Sequence, residues 1–225
     1  MESFNYLLGS LSFLFEALEY NEFKGHDVIL ILTSDHGDEF GEHGAIGHEG
    51  LQQKFYSIFH LYNELIHVPM IVTGPEISFK RDVFELTSHL DVVPTIMNLA
   101  KSNMSNKFRA GKYMGRLFFG KTLASYLNIY SDAYNDHQDQ YSGYNGFYRD
   151  YVVVESEVIK SKVESSRVIC CSYAIVTRRY KYIWNPLTGE ELYDLLKDPL
   201  EAYNIASGNK DLLLLFRKHL IKYLN

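Results

Sequence analysis

Between positions 33 and 50 the chain reads Thr33-Ser34-Asp35-His36-Gly37-Asp38-Glu39-Phe40-Gly41-Glu42-His43-Gly44-Ala45-Ile46-Gly47-His48-Glu49-Gly50. Five acids and three histidines fall between positions 35 and 49. Carboxylate and imidazole together bind divalent cations well. The interspersed glycines let the backbone turn sharply and approach a ligand closely. Directly upstream lies Val28-Ile29-Leu30-Ile31-Leu32, an unbroken β-branched and aliphatic run. Ligand sites in open α/β sheets sit outside the carboxyl ends of strands. Asp35 and His36 leave such an end, and a rigid strand end holds a metal better than a loop does. An acidic loop that merely faces water is the competing account, but it gives no reason for Asp-His immediately after an apolar strand.

The elements around this segment alternate. Residues 3–22 repeat Phe4, Leu7, Leu8, Leu11, Phe15 and Leu18 at helical spacing, with Ser3 as a cap and Lys24-Gly25 as the stop. A strand apolar on both faces, such as 28–32, is expected in a covered parallel sheet, and Val68 to Val72 reads as a second one, ended by Gly74-Pro75. Leu90 to Ala100 reads as a helix capped by Asp91, with Pro94 tolerated in its first turn. This alternation is that of an α/β layered domain. Residues 126–150 form a polar, Tyr-rich tract expected to be a surface insertion or connection. Beyond it Tyr151 to Glu155, Val168 to Val176 and Tyr180 to Trp184 look like strands, with Asn185 to Gly189 as a turn. Residues 209–224 close as an amphipathic helix with Leu212, Leu215, Phe216, Leu220 and Leu224 on one side. Strands followed by a helix suggest a small α+β subdomain.

The chain has 225 residues, 46% of them hydrophobic, enough for one large core or two small ones. A net charge of −6 without basic clusters argues against a nucleic-acid partner. The early apolar run Leu7 to Phe15 is too short to span a bilayer, so no membrane span is expected. It also lacks a positive flank, so no signal peptide is visible. Adjacent Cys170 and Cys171 are poorly placed to pair. The absence of a disulfide framework favours a reducing compartment, and a cytoplasmic location is the expectation.

The segment Ser34-Asp35-His36-Gly37-Asp38 through Gly41-Glu42-His43-Gly44 resembles the second metal-binding motif of the sulfatase family, within the alkaline phosphatase superfamily. Four further stretches are similar to family motifs in family order: Gly47-His48; Leu61-Tyr62-Asn63-Glu64-Leu65 through Val68-Pro69; Ser88 to Ile96; and Lys181-Tyr182-Ile183 with Glu191 to Asn204. The resemblance implies an alkaline-phosphatase-like α/β/α sheet domain, its C-terminal part at residues 1–125, followed by a small α+β subdomain with an antiparallel sheet at 151–225. It implies that Asp35 and His36 bind a catalytic divalent cation, Ca²⁺ first, with Zn²⁺ or Mn²⁺ as alternatives. It gives His48, twelve positions after His36, a catalytic role as donor to the ester oxygens or leaving group. Asp38, Glu39 and Glu42 become loop-forming or ligand-orienting groups, His43 a structural one, Glu64 and Asp91 satisfiers of backbone donors, and His60, His67 and His89 packing or surface residues.

The resemblance also implies what to look for and not find. The family's nucleophile lies in C/S-x-P-x-R, a pattern this sequence does not contain; Cys170-Cys171-Ser172 lacks the Pro and Arg. The expectation is a sulfuric ester hydrolase whose nucleophile-bearing half is absent, so that the chain alone is inactive. The substrate would be a sulfate ester, a sulfated sugar or aryl sulfate, and the partner a missing N-terminal half or a second copy. A phosphodiesterase, phosphonate hydrolase or phosphoglycerol transferase of the same superfamily is the first alternative. A non-catalytic metal- or partner-binding fragment is the second.

Overall fold

The structure, a computed structural model, describes residues 2–19, 28–48, 51–53, 56–58, 60–74, 77, 82–100, 123, 149–160 and 167–225. Helix α1 (Glu2–Glu19) opens it. Ser3 lies inside the helix rather than capping it, and the Lys24-Gly25 stop lies outside the described residues. Tyr6 and Phe13 on α1 are exposed. No described helix is long and apolar enough to cross a membrane.

Strand β1 (Leu30–Thr33) carries the chain to the site, and the return strand β6 (Met70–Thr73) pairs with it from Leu30↔Thr73 to Thr33↔Met70. The pairing is antiparallel, where the apolar run alone pointed to a parallel neighbour. An apolar run does not fix the direction of its neighbour, and the two strands are not buried on both faces: β1 is only partly buried and Ile71 of β6 is exposed. Between the two strands lie a short hairpin, β2 (Glu39–Phe40) with β3 (Ile46–Gly47), then β4 (Leu51–Gln53), β5 (Tyr56–Ile58) and a one-turn helix α2 (Asn63–Ile66).

A 3₁₀ turn (His89–Asp91) leads into helix α3 (Val92–Ala100). Its cap is Ser88 and not Asp91: Ser88 Oγ accepts from Leu90 N–H, while the Asp91 carboxylate reaches back to the Ser88 amide at 2.8 Å. This reciprocal arrangement satisfies donors that a helix start leaves open. Asp91 is also gripped by both guanidinium nitrogens of Arg149, at 2.6 and 3.0 Å. The Tyr-rich tract lies outside the described residues, except Arg149 and Asp150 at its end.

The second half is a meander of β7 (Val152–Lys160), β8 (Arg167–Val176), β9 (Tyr180–Asn185) and β10 (Gly189–Asp194), all antiparallel. β4 and β5 add to its β7 edge, so one six-stranded sheet runs β10-β9-β8-β7-β5-β4. The sheet therefore joins segments that the sequence keeps about a hundred residues apart. Cys170 and Cys171 are both in β8.

Side chains alternate across this sheet with the two-residue period of a strand. Ile175, Tyr182 and Leu192 lie in register on one face and meet Leu213, Phe216 and Leu220 of helix α4 (Lys210–Leu224). The buried face of α4 thus runs through Leu213, while Leu215 and Leu224 are exposed. Tyr182 and Phe216 stack at 5.6 Å between ring centroids. Burying each of these large apolar side chains is worth about 1.5–3 kcal/mol. On the opposite face Ala174, Ile183 and Tyr193 pack against Leu61, with Tyr62 and Ile66 beside them. The residues just before and within α2 are thereby seated on the C-terminal sheet.

Candidate functional site

The loop that leaves β1 is held by backbone contacts. Ser34 Oγ donates to the His36 carbonyl at 2.6 Å, and the Gly37 amide donates to the Leu65 carbonyl at 2.9 Å. A Cβ at position 37 would stand 2.0 Å from the Glu64 carbonyl oxygen, so only glycine lets the loop lie against α2. Gly41, Gly44 and Gly47 all have positive φ, which closes the β2–β3 hairpin.

Asp35 and His36 come out of β1 side by side, with Asp35 Oδ2 3.9 Å from His36 Nε2. The Asp35 carboxylate is open to solvent, 88% exposed, and the His36 side chain is 42% exposed. The His36 amide donates to Asp35 Oδ1 at 3.0 Å and holds that carboxyl below the usual carboxylate range. His36 Nδ1 lies 2.8 Å from the Gly37 carbonyl oxygen. A carbonyl can only accept, so Nδ1 carries the proton and a neutral His36 keeps its lone pair on Nε2. An anionic oxygen and an imidazole nitrogen that face the same space fit a divalent cation.

The hairpin brings two more groups to the same place. Its register pairs Glu39 with Gly47, so Asp38 and His48 stand opposite one another as the next positions out. His48 Nδ1 is 3.1 Å from Asp38 Oδ1, and its ring centroid is 4.2 Å from that of His36. One donor atom each from His36, Asp38 and His48 lie within 4.8 Å of one another. Sequence reading assigned Asp38 an orienting role and overlooked this convergence. The signal was there in the pair of short apolar positions flanking a glycine-punctuated turn.

Behind the loop lie two histidine–carboxylate pairs. His60 Nδ1 meets Glu39 Oε2 at 2.8 Å, with Glu39 fully buried, and His43 Nε2 approaches Glu64 Oε2 at 3.4 Å. His43 also stacks on Tyr62 at 3.6 Å between centroids. Glu64, read from sequence as satisfying backbone donors, instead faces His43; the carboxylate that accepts from the Asn63 amide, at 2.6 Å, is Glu201. Glu42 accepts from the Phe40 amide at 2.5 Å and, held by its own and that amide, titrates below its ordinary range. His89 Nε2 is 3.3 Å from Thr33 Oγ1 at the end of β1, and His67 closes α2.

Segment 60–66 is in turn fixed to the sheet. Tyr62 and Tyr193 hydroxyls both donate to Glu191 Oε2, at 2.8 and 2.5 Å. Burial and the Glu191 charge push both phenols up. Lys181, fully buried, donates to Asn63 Oδ1 at 2.9 Å and to Glu201 at 2.8 and 3.0 Å. Asp194 pairs with Arg179 at 2.9 Å, and Asp198 accepts from the Ala202 and Tyr203 amides.

The strand-end loop, the segment behind it and the tail that clamps them are the parts a family comparison must account for. The Sulfatase family model matches residues 10–102. This chain looks like a C-terminal portion of a sulfatase. It is 26% identical over 196 residues to the Δ4,5-hexuronate-2-O-sulfatase of Bacteroides thetaiotaomicron, covering 85% of this chain and 33% of that protein. It is 26% identical to arylsulfatase K of Canis lupus familiaris, covering 80% of this chain and 28% of that one. A solved sulfatase from B. thetaiotaomicron superposes with a TM-score of 0.58 at 25% identity, over 87% of this chain and 36% of the other. The phosphonate monoester hydrolase of Agrobacterium radiobacter superposes with a TM-score of 0.59 at 21% identity, over 86% and 34%, a likeness of fold alone. The chain thus spans about a third of the length of the sulfatases it matches. Its fold is the alkaline-phosphatase-like mixed α/β fold of those structures, with an antiparallel sheet in its second half.

Proposed function

We propose that this chain is the metal-loop portion of a sulfuric ester hydrolase acting on a sulfated sugar or an aryl sulfate. The observation that carries the reading is the Asp35–His36 pair, 3.9 Å apart at the exit of β1, with the His48 ring 4.2 Å from that of His36. Asp35 and His36 are the residues that would hold the cation, Ca²⁺ by family resemblance. When bound, that cation polarises the sulfuryl oxygens and stabilises charge that develops on them. His36 is oriented by the Gly37 carbonyl, and Asp35 stays ionised through the His36 amide. His48, half exposed beside Asp38, offers an imidazole that can donate to the ester's anionic oxygens or its leaving group.

The sequence contains no C/S-x-P-x-R, so the nucleophile comes from outside these 225 residues, from a further segment or a partner chain. The exposed apolar side chains of α1 support a covering segment of this kind. The test is aryl sulfate hydrolysis by the pure chain, then by the chain combined with a nucleophile-bearing N-terminal segment. We expect no turnover in the first case, and in the second turnover that Asp35→Ala abolishes. Turnover by the pure chain that is lost in Asp35→Ala, or none in any combination, overturns the reading. Preference for a phosphonate or phosphodiester over the aryl sulfate transfers the assignment to the phosphoester hydrolases of the same superfamily.

A further inference from the structure

We infer that Phe40 and Ile46 form an apolar platform that receives the aromatic ring of an aryl sulfate, so that an aryl leaving group is preferred over a sugar. This rests on the ester-hydrolase reading and names the substrate class of that site. The hairpin sorts its side chains by face. β2 and β3 pair Glu39 with Gly47 and Phe40 with Ile46. Successive side chains of a strand point to opposite faces. Glu39 and Ala45 turn inward, and both are buried. Asp38, Phe40, Ile46 and His48 share the outer face, where Phe40 is 80% exposed and Ile46 81%. These two are the only large apolar residues between Asp38 and His48, and the register sets them directly opposite one another.

Their place beside His48 suits one kind of ligand. Residues opposed across an antiparallel pair have Cβ atoms about 4.5–5.5 Å apart. Two residues along a strand cover about 6.8 Å. The platform thus begins one side-chain step from His48, within reach of a single ring attached to the ester oxygen. His48 Nδ1 is engaged by Asp38 Oδ1 at 3.1 Å, which leaves Nε2 for that oxygen. Neither Phe40 nor Ile46 has a side-chain donor or acceptor, so a sugar hydroxyl would shed water there and find no replacement. An aromatic ring instead stacks on Phe40 and buries apolar area against Ile46. The anionic end is left to His48 and the residues at the exit of β1. The turn that joins the two positions is fixed in advance. The Phe40 amide donates to Glu42 Oε2 at 2.5 Å, the Gly44 amide donates to the Gly41 carbonyl at 3.2 Å, and both glycines take positive φ. A preformed surface of this kind lowers the ordering cost of binding.

The experiment is equilibrium dialysis of the full chain in Ca²⁺ against radiolabelled phenyl sulfate, glucose 6-sulfate and inorganic sulfate. We expect phenyl sulfate to bind most tightly, and Asp35→Ala to weaken all three. Phe40→Ala and Ile46→Ser should each weaken phenyl sulfate by about three- to tenfold, the worth of a stacked ring or a buried apolar side chain, and leave inorganic sulfate unchanged. Phe40→Tyr, which keeps the ring, should keep the phenyl sulfate affinity. Both side chains are exposed, and far-UV circular dichroism with Trp184 emission reports that each variant folds. Equal affinity for the three ligands, all weakened by Asp35→Ala, overturns the platform and leaves the ester-hydrolase reading standing. Unchanged phenyl sulfate affinity in the folded Phe40→Ala/Ile46→Ser variant does the same. A preference for phenyl sulfate that vanishes once a nucleophile-bearing N-terminal segment is combined with the chain also overturns it, because that segment is then the occupant. Binding of none of the three overturns the platform and the ester-hydrolase reading together.

Discussion

Replacing Lys181 with Met leaves the Glu201 carboxylate in a place water does not reach. Both side chains are fully buried, and the ammonium is the only cation within reach of either carboxylate oxygen among the described contacts, at 2.8 and 3.0 Å. In the wild type burial pulls Lys181 down and pushes Glu201 up, and their mutual attraction opposes both shifts. Without the lysine, only the Asn63 amide, at 2.6 Å, still serves the carboxylate. The chain escapes a bare buried charge by folding with Glu201 protonated. From an ordinary value of 4.5, carrying a proton onto that group at pH 7 costs about 1.36 kcal/mol per pH unit over 2.5 units, roughly 3.4 kcal/mol. This agrees with the roughly 3–5 kcal/mol seen when one partner of a buried pair is removed.

The assay is urea denaturation followed by Trp184, the single tryptophan, which sits on β9 three residues from Lys181. Lys181→Met should lose about 3–4 kcal/mol at pH 7, and the deficit should shrink by about 1.4 kcal/mol for each unit the pH is lowered toward 5. The double variant Lys181→Met/Glu201→Leu should recover much of the loss, because no charge is left to bury. A deficit below about 1 kcal/mol, the level of an exposed pair, or one that does not change with pH, refutes the argument.

Two further outcomes follow from the site and the tail. Gly37→Ala forces a methyl group to within 2.0 Å of the Glu64 carbonyl, so the loop must lift from α2. About 1–3 kcal/mol of stability should be lost, together with divalent-cation affinity, measurable by titration of the same protein. Glu190 accepts from Tyr182 Oη at 2.6 Å and from Arg217 Nε at 2.7 Å, and Arg217 foremost holds it below its ordinary value of 4.5. A carboxylate depressed in the folded state stabilises above its unfolded value and ceases to as pH falls through the folded one. Glu190→Gln should therefore flatten the decline in stability below about pH 4.5, while leaving its neutral-pH dependence unchanged.

Much of this was legible in the sequence for reasons of period and position. The apolar run before Asp35 announced a strand, and a strand end is where an α/β sheet displays ligands. The alternation in Tyr180-Lys181-Tyr182-Ile183-Trp184 announced β9, whose odd and even positions do face opposite layers. What stayed hidden depends on pairing, which one strand cannot state alone. Nothing in 51–58 says that these residues join a sheet made by residues a hundred positions later. The Glu191-Leu192-Tyr193 stretch looked like a tail motif and not a strand because Glu191 is satisfied by Tyr62 far off in the sequence, as well as by Tyr193 within the stretch. On α4 the sequence offered more leucines than one face can bury, and packing against Tyr182 selected Leu213 over Leu215. The contact of Asp38 with His48 was hidden for the same reason as β4 and β5: it is set by hairpin register.

Segment 60–66 touches the loop that leaves β1 on one side, through His60, Glu64 and the Leu65 carbonyl, and the six-stranded sheet on the other, through Tyr62 and Asn63. Loop and sheet consequently open as one cooperative unit, so thermal loosening of the tail and displacement of the loop that carries Asp35 and His36 belong to a single transition.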